Sequence, residues 1–116
     1  ARDLQRSLKE RSLPWEIAKG FDGSAALGSF VSKQAFENIQ DINFHLDINA
    51  KTVQKGNTRD MIFSVDNIIA YVSQFFTLKI GDLIFTGTPA GVGPVKINDH
   101  LEGYIENKKL LDLNIK

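Results

Sequence analysis

Residues 81–95, GDLIFTGTPAGVGPV, could form an anion-binding corner. They hold four of the chain's nine glycines and two of its three prolines. Glycine lets a ligand approach the backbone closely, and proline holds a turn rigid. We therefore expect the hydroxyls of Thr86 and Thr88 and the amides around Gly87 to converge on one small volume that suits a carboxylate or carbonyl oxygen. A rigid hairpin with unusual turns is the alternative that composition leaves open.

The same glycines do not fit a nucleotide-binding loop. No glycine is followed by lysine and then serine or threonine, as a P-loop requires. Gly91 and Gly93 begin a dinucleotide pattern, but its third glycine is absent. The residues that follow alternate like a strand, whereas that fingerprint must open a helix.

Lys19, Arg2 and Gln5 are the other side chains with suitable chemistry. Partial burial of Lys19 would favour the neutral amine that proton transfer needs; its apolar neighbours are Trp15, Ile17, Ala18 and Phe21. Arg2 can hold a carboxylate with two parallel hydrogen bonds, and Gln5 lies one helical turn further on a similar face. By residue type alone, Arg2 and Lys19 would more often be ordinary surface residues.

The histidines and aspartates offer less. His45 falls on the polar face of an alternating segment, and His100 falls in a polar NDH turn, so both are expected at the surface. Asp22, Asp41 and Asp47 have no partner at metal-ligand spacing.

Composition restricts the class of protein. The chain has 116 residues, enough for one domain, and its 14 basic residues balance its 14 acidic ones. This balance gives no electrostatic footprint for nucleic acid or an anionic membrane. No apolar stretch approaches the roughly 20 residues of a membrane span, and no secretory leader is recognisable. The absence of cysteine excludes disulfides and thiolate metal sites, so a cytoplasmic location is expected.

Hydrophobic periodicity predicts an α+β, β-rich fold. Residues 2–11 form a short amphipathic helix that ends before Pro14. Residues 42–48 alternate, and a turn at residues 49–51 predicts a hairpin. Ser64 should cap a second helix whose broad apolar face dominates the core. Further strands are expected at residues 83–85, 101–105 and 111–115, with alternation also at Val95 and Ile97. No βαβ rhythm is present, which argues against a doubly wound parallel sheet.

Three segments together closely resemble the fumarylacetoacetate hydrolase family. They are ARDLQ, LPWEIAKGFD and GNTRDMIFSVDNIIAYVSQFFTLKIGDLIFTGTPAGVGPV, and the resemblance covers nearly all 116 residues. The most similar branch is that of the small acylpyruvate hydrolases and oxaloacetate decarboxylases. The resemblance implies part of a β-rich roll of mixed sheets with two short helices, commonly paired into homodimers.

The resemblance also implies a chemistry. Members use Mg²⁺ or Mn²⁺ and act on acylpyruvate-type or other 2-oxo acids, by cleaving a carbon–carbon bond, decarboxylating or isomerising. Arg2 and Gln5 match positions that reach the substrate, Lys19 matches an active-site lysine, and Thr88, beside Gly87, matches a threonine that grips the substrate carboxylate. Lys19 and residues 86–89 are therefore expected to face a common cavity.

In the family, the metal is held by a Glu-x-Glu pair and an aspartate that precede the ARD motif. Residues 1–116 thus resemble the C-terminal portion of a single catalytic domain, with the metal ligands outside this chain. The expected reaction cleaves a carbon–carbon bond of the substrate, or removes its carboxyl group, through a metal-stabilised enolate. Two alternatives stay open: an isomerase of 2-hydroxy-diene-dioates, and a non-catalytic binding module that keeps the fold without the metal.

Overall fold

Four antiparallel strands form the sheet of this chain, which a computed structural model describes over residues 1–116. The strands are β1 Asn43–Ile48, β2 Lys51–Asn57, β3 His100–Ile105 and β4 Lys108–Asn114. The sheet order is β2-β1-β3-β4, so β1 and β3 are central and β2 and β4 are the edges.

Two tight turns join the strands into hairpins, as the sequence predicts. Asn49 and Ala50 have φ of 51° and 62°, the left-handed backbone that a two-residue hairpin turn needs. Glu106, with φ of 49°, opens the second turn, between β3 and β4. Lys51, the last residue of the turn predicted at residues 49–51, is instead the first residue of β2.

Two short helices complete the α+β fold: α1 spans Arg2–Glu10 and α2 spans Val65–Val72. The predicted cap of α2 is present, since the Ser64 hydroxyl accepts a hydrogen bond from the Asn67 amide at 3.2 Å. Single 3-10 turns lie at Glu16–Ala18, Lys33–Ala35 and Thr58–Asp60. Neither helix has the length and apolar character that crossing a bilayer would take.

The strand predicted at residues 83–85 is wrong, and the alternation at Val95 and Ile97 forms no strand either. Both segments lack regular structure. A strand requires a hydrogen-bonding partner, and the four strands of this sheet pair only with one another. Apolar residue patterns favour an extended conformation but do not show whether another strand is available for pairing.

The prediction that α2 dominates the core is also wrong. Only Leu8, Ala18 and Ile42 are buried, and α2 contributes none of them. Phe75 and Phe76, on the predicted apolar face, are 66% and 67% exposed. Helix α2 ends at Val72, so Phe75 and Phe76 lie in the turn that follows it, and no residue of α2 is fully buried.

Candidate functional site

The TGTPA corner (residues 86–90) lies against the β1–β2 hairpin. Gly91, the next residue, has φ of 98° and lies so close to β2 that a Cβ on it would overlap the carbonyl oxygen of Val53. A Cβ on Gly56 would lie 2.8 Å from the Phe44 ring and 3.3 Å from the Pro89 ring. Glycine at both places is therefore what lets the corner seat on the hairpin.

One side chain of β2 binds the corner directly. The amide nitrogen of Gln54 donates to the Thr88 hydroxyl at 2.9 Å, to the Pro89 carbonyl at 3.1 Å and more weakly to the Ala90 carbonyl at 3.5 Å. The sequence gives no indication of this role for Gln54, because its position in a strand does not reveal a contact 34 residues away.

The corner opens into a concavity of about 500 Å³. Gly87 has φ of 99°, a conformation that glycine adopts without strain. The backbone amides of Thr86, Gly87 and Thr88 make no hydrogen bond within the chain. Free amides beside a hydroxyl are groups that can bind a carboxylate. The residues that line this concavity are Phe44, residues 55–58, residues 60–62 and residues 86–90.

Arg2, Gln5 and Lys19 lie at a second place, where α1 meets the 3-10 turn at Glu16–Ala18. The amine of Ala1 donates to the Ala18 carbonyl at 3.0 Å, and both Leu8 and Ala18 are buried at this junction. This packing brings the start of α1 beside Lys19. Arg2 is exposed and Gln5 is half-buried, so both are free to contact a ligand.

Lys19 lines a concavity of about 550 Å³ with Trp15, Glu16 and Gly20. Its side chain is exposed, contrary to the expected partial burial, because Trp15 and Phe21 are themselves 43% and 50% exposed. This concavity and that of Thr88 have no lining residue in common. Residues 1–116 thus do not enclose Lys19 and Thr88 in one cavity, and their joint role stays a prediction.

The acidic residues at the corner do not fit a divalent metal. Mg²⁺ and Mn²⁺ prefer several oxygen ligands, and Asp60 is the single carboxylate among the residues lining the Thr88 concavity. The residues that line this concavity therefore do not form a complete set of ligands for such a metal.

A group of metal-ligand type does occur elsewhere, on β3 and β4. His100, Glu102 and Asp112 have ligand atoms within 4.8 Å of one another. Lys109 lies among them, with its Nζ 2.9 Å from a Glu102 oxygen and 2.6 Å from an Asp112 oxygen. The Lys109 ammonium and then His100 hold the pKa of Asp112 below its usual range. The group is thus an ion-pair network at the edge of the sheet, in which Lys109 balances part of the charge of the two carboxylates.

His45 lies on β1, in the segment where alternation predicts a strand, but His100 is the first residue of β3 rather than part of a turn, and both histidines are half-buried rather than at the surface. His45 stacks on Tyr104 with ring centroids 4.4 Å apart and an interplanar angle of 5°. Burial, followed by the nearby Glu102 carboxylate, raises the pKa of Tyr104. Neither histidine lines the concavity of Thr88 or that of Lys19.

Comparison with known proteins agrees with the family suggested by the motifs. Residues 1–115 match the family model described as fumarylacetoacetate (FAA) hydrolase C-terminal. A mitochondrial oxaloacetate tautomerase of Mus musculus is 42% identical over 116 residues, all of this chain and 52% of that protein. A mitochondrial oxaloacetate decarboxylase of Dictyostelium discoideum is 43% identical over 96 residues, 83% of this chain and 44% of that protein.

Solved structures show the same likeness. A fumarylacetoacetate hydrolase family protein of Yersinia pestis CO92 superposes with a TM-score of 0.91 at 42% identity, over 99% of this chain and 54% of that one. A fumarylpyruvate hydrolase of Pseudomonas aeruginosa, in complex with Mn²⁺ and pyruvate, gives 0.88 at 35% identity, over 98% and 49%. The chain thus spans about half the length of the proteins it matches.

Proposed function

Because the chain belongs to the fumarylacetoacetate hydrolase family, we propose that residues 1–116 are the C-terminal portion of a single catalytic domain in a metal-dependent hydrolase or lyase. Its substrates are 2-oxo acids of the acylpyruvate type, which lose a carbon–carbon bond or a carboxyl group through an enolate. The observation that carries this proposal is the TGTPA corner, which presents free amides and a hydroxyl to solvent. The complex of the Pseudomonas aeruginosa relative with Mn²⁺ and pyruvate supports it.

The substrate carboxylate binds at the corner in this proposal. The Thr88 hydroxyl and the free Gly87 amide donate hydrogen bonds to this carboxylate, and the neighbouring backbone amides complete the anion site. Arg2 and Gln5, on the first turns of α1, hold a second polar group of the substrate. Lys19 is the catalytic residue, which transfers a proton or balances charge as the enolate forms.

The Mg²⁺ or Mn²⁺ ion is bound by residues outside 1–116, since the corner offers a single carboxylate. This chain's own part is confined to binding and orienting the substrate and to proton transfer at Lys19. For the two halves of the site to act together, Lys19 and Thr88 must face one ligand in the full-length protein.

A second candidate is isomerisation of a 2-hydroxy-diene-dioate or a related enol. The relative of Mus musculus is named a tautomerase, and it matches the whole of this chain. The carboxylate-binding and proton-transfer groups described above would serve isomerisation as well as cleavage.

Turnover by the full-length protein tests the proposal. We expect turnover of an acylpyruvate or of oxaloacetate that EDTA abolishes and Mg²⁺ or Mn²⁺ restores. Lys19→Met should lower kcat by about 100-fold or more, the usual effect of losing a proton-transfer group, whereas Lys33→Met, on an exposed 3-10 turn, should leave it unchanged. Metal-dependent turnover of dienoate enols alone would favour isomerisation. No metal-dependent turnover of any of these compounds would leave a non-catalytic module as the remaining explanation.

We further propose a homodimer in the cytoplasm, to be tested by sedimentation and by fractionation of the native protein. The names of the two relatives compared above place those proteins in mitochondria, so recovery of this protein from an organelle would contradict the cytoplasmic assignment.

A further inference from the structure

Gln54 is a polar side chain on the apolar face of the sheet. It pairs with Leu46 across β1 and β2, and Phe44 lies two residues from Leu46 on the same face. The register shifts between Leu46 and Asp47, so that Val53 has no partner on β1. Such a bulge redirects neighbouring side chains. Here the Gln54 side chain lies beneath the TGTPA corner instead of in solvent.

The contacts of Gln54 fix the orientation of its amide group. The Pro89 and Ala90 carbonyl oxygens, at 3.1 Å and 3.5 Å, can only accept hydrogen bonds, so the group between them must be the amide nitrogen. The same nitrogen lies 2.9 Å from the Thr88 hydroxyl oxygen. Because a primary amide nitrogen only donates, the Thr88 oxygen is the acceptor of that bond.

This direction has a consequence for Thr88. A hydroxyl has one hydrogen, and an oxygen that already accepts from Gln54 keeps that hydrogen for another partner. Thr88 is exposed and lines the concavity beside the free amides of Thr86 and Gly87. A carboxylate there would receive hydrogen bonds from all of these groups at once.

We propose that Gln54 is a positioning residue for 2-oxo acid binding, which sets Thr88 as a hydrogen-bond donor and holds the corner on β2. The inference rests on the proposed function, since it assumes that the substrate carboxylate binds at Thr88. Gln54 does not touch the substrate and acts through Thr88 and the carbonyls of Pro89 and Ala90.

Pyruvate binding and steady-state kinetics of the full-length protein test this role. Gln54→Leu should weaken pyruvate binding in the presence of Mn²⁺ about tenfold and raise KM more than it lowers kcat. Gln74→Leu is the matched control: Gln74 is exposed beyond α2 and its side chain makes no hydrogen bond. In a Thr88→Val background, Gln54→Leu should have much less effect, because the group through which it acts is gone.

Gln54→Glu, which has nearly the same shape, tests the direction of the hydrogen bond and covers the case in which Gln54→Leu misfolds. A carboxylate only accepts, so it would draw the Thr88 hydrogen away from the ligand, whereas the protonated acid can donate as the amide does. Pyruvate affinity of this variant, relative to wild type, should therefore rise as pH falls from 8 to 5. Lys55 and Asp60 line the same concavity in both proteins, so any effect of their ionisation on pyruvate affinity cancels when the affinity of the variant is divided by that of wild type.

The outcomes separate the two proposals. If the wild-type protein neither binds pyruvate nor turns over any 2-oxo acid, the proposed function fails and the role of Gln54 fails with it. If the wild type binds pyruvate but Gln54→Leu binds it equally well, the role of Gln54 alone is overturned. Purely additive effects of Gln54→Leu and Thr88→Val, or a pH-independent ratio for Gln54→Glu, would overturn it as well.

Discussion

At the scale of single residues, the candidate site depends on which groups have free hydrogen-bonding capacity. The amides of residues 86–88 have no partner within the chain, and Thr88 keeps its hydrogen while accepting from Gln54. The composition of the loop suggests Thr88 and Gly87 as anion-binding residues, and the family resemblance assigns Thr88 to the substrate carboxylate. Neither points to Gln54, because its contact joins residues 34 positions apart and depends on the bulge in β2.

Removing the Thr88 hydroxyl should weaken carboxylate binding. A hydrogen bond to a charged group contributes about 1.5–3 kcal/mol, so Thr88→Val in the full-length protein should raise the dissociation constant for pyruvate about 10- to 150-fold. Calorimetric titration in the presence of Mn²⁺ measures this. Thr77→Val, in the segment after α2, is the control. Equal affinity of the Thr88→Val and wild-type proteins would show that the carboxylate binds elsewhere.

At the scale of elements, glycine decides how the TGTPA corner meets the hairpin. Gly91→Ala would put alanine into a left-handed backbone conformation, with φ of 98°, and would press its Cβ against the Val53 carbonyl oxygen. We expect a loss of about 1–3 kcal/mol in the free energy of unfolding, with weaker pyruvate binding because the corner shifts. Urea denaturation measures the first effect and titration the second.

Gly93→Ala is the matched control for this prediction. Gly93 has no positive φ, and a Cβ there would meet nothing within 4 Å. Its stability should stay within about 0.5 kcal/mol of wild type. Similar losses in both variants would mean that the contact of Gly91 with β2 has no special importance.

Asp99 ties the start of β3 to the turn of the first hairpin. One carboxylate oxygen accepts from the Lys96 amide at 2.7 Å, and the other accepts from the Asn49 side chain at 2.9 Å. These bonds, that of Lys96 first, hold the pKa of Asp99 below its ordinary value of 3.8. A lowered carboxyl pKa stabilises the fold above pH 3.8, and this contribution is lost as pH falls through the folded-state pKa.

Asp99→Asn should therefore reduce the dependence of stability on acid. Between pH 5 and pH 2, the free energy of unfolding should fall less in the variant than in wild type, as measured by urea titration at each pH. Asp41 and Asp112, whose pKa values are also lowered, are present in both proteins and contribute equally. Parallel pH profiles would show that the bonds of Asp99 do not contribute to stability.

At the scale of the whole molecule, residues 1–116 bury few of their apolar side chains. Three residues are buried, while Phe63, Phe75, Phe76 and Phe85 are each more than 60% exposed. The chain also spans about half the length of the relatives it matches. An apolar surface of this extent on a free protein favours association.

The isolated chain should therefore self-associate and bind a hydrophobic dye, whereas the full-length protein should do so far less. Analytical ultracentrifugation and dye fluorescence of both proteins, at equal concentration, provide the comparison. A monomeric isolated chain that binds no more dye than the full-length protein would contradict this prediction.

The sequence by itself determined the features that depend on neighbouring residues. The turn after β1, the Ser64 cap and the hairpin alternation all depend on residues within a few positions, so residue type is enough to predict them. The motifs also indicated the family that the comparisons show.

Only the tertiary structure decided which distant segments meet. It showed that residues 83–85 have no strand to pair with, that no residue of α2 is fully buried, and that Gln54 binds the corner. It also showed that Lys19 and Thr88 line separate concavities within this chain. The physical reason is that pairing, burial and shared cavities depend on partners far away in sequence, whose positions local preferences do not specify.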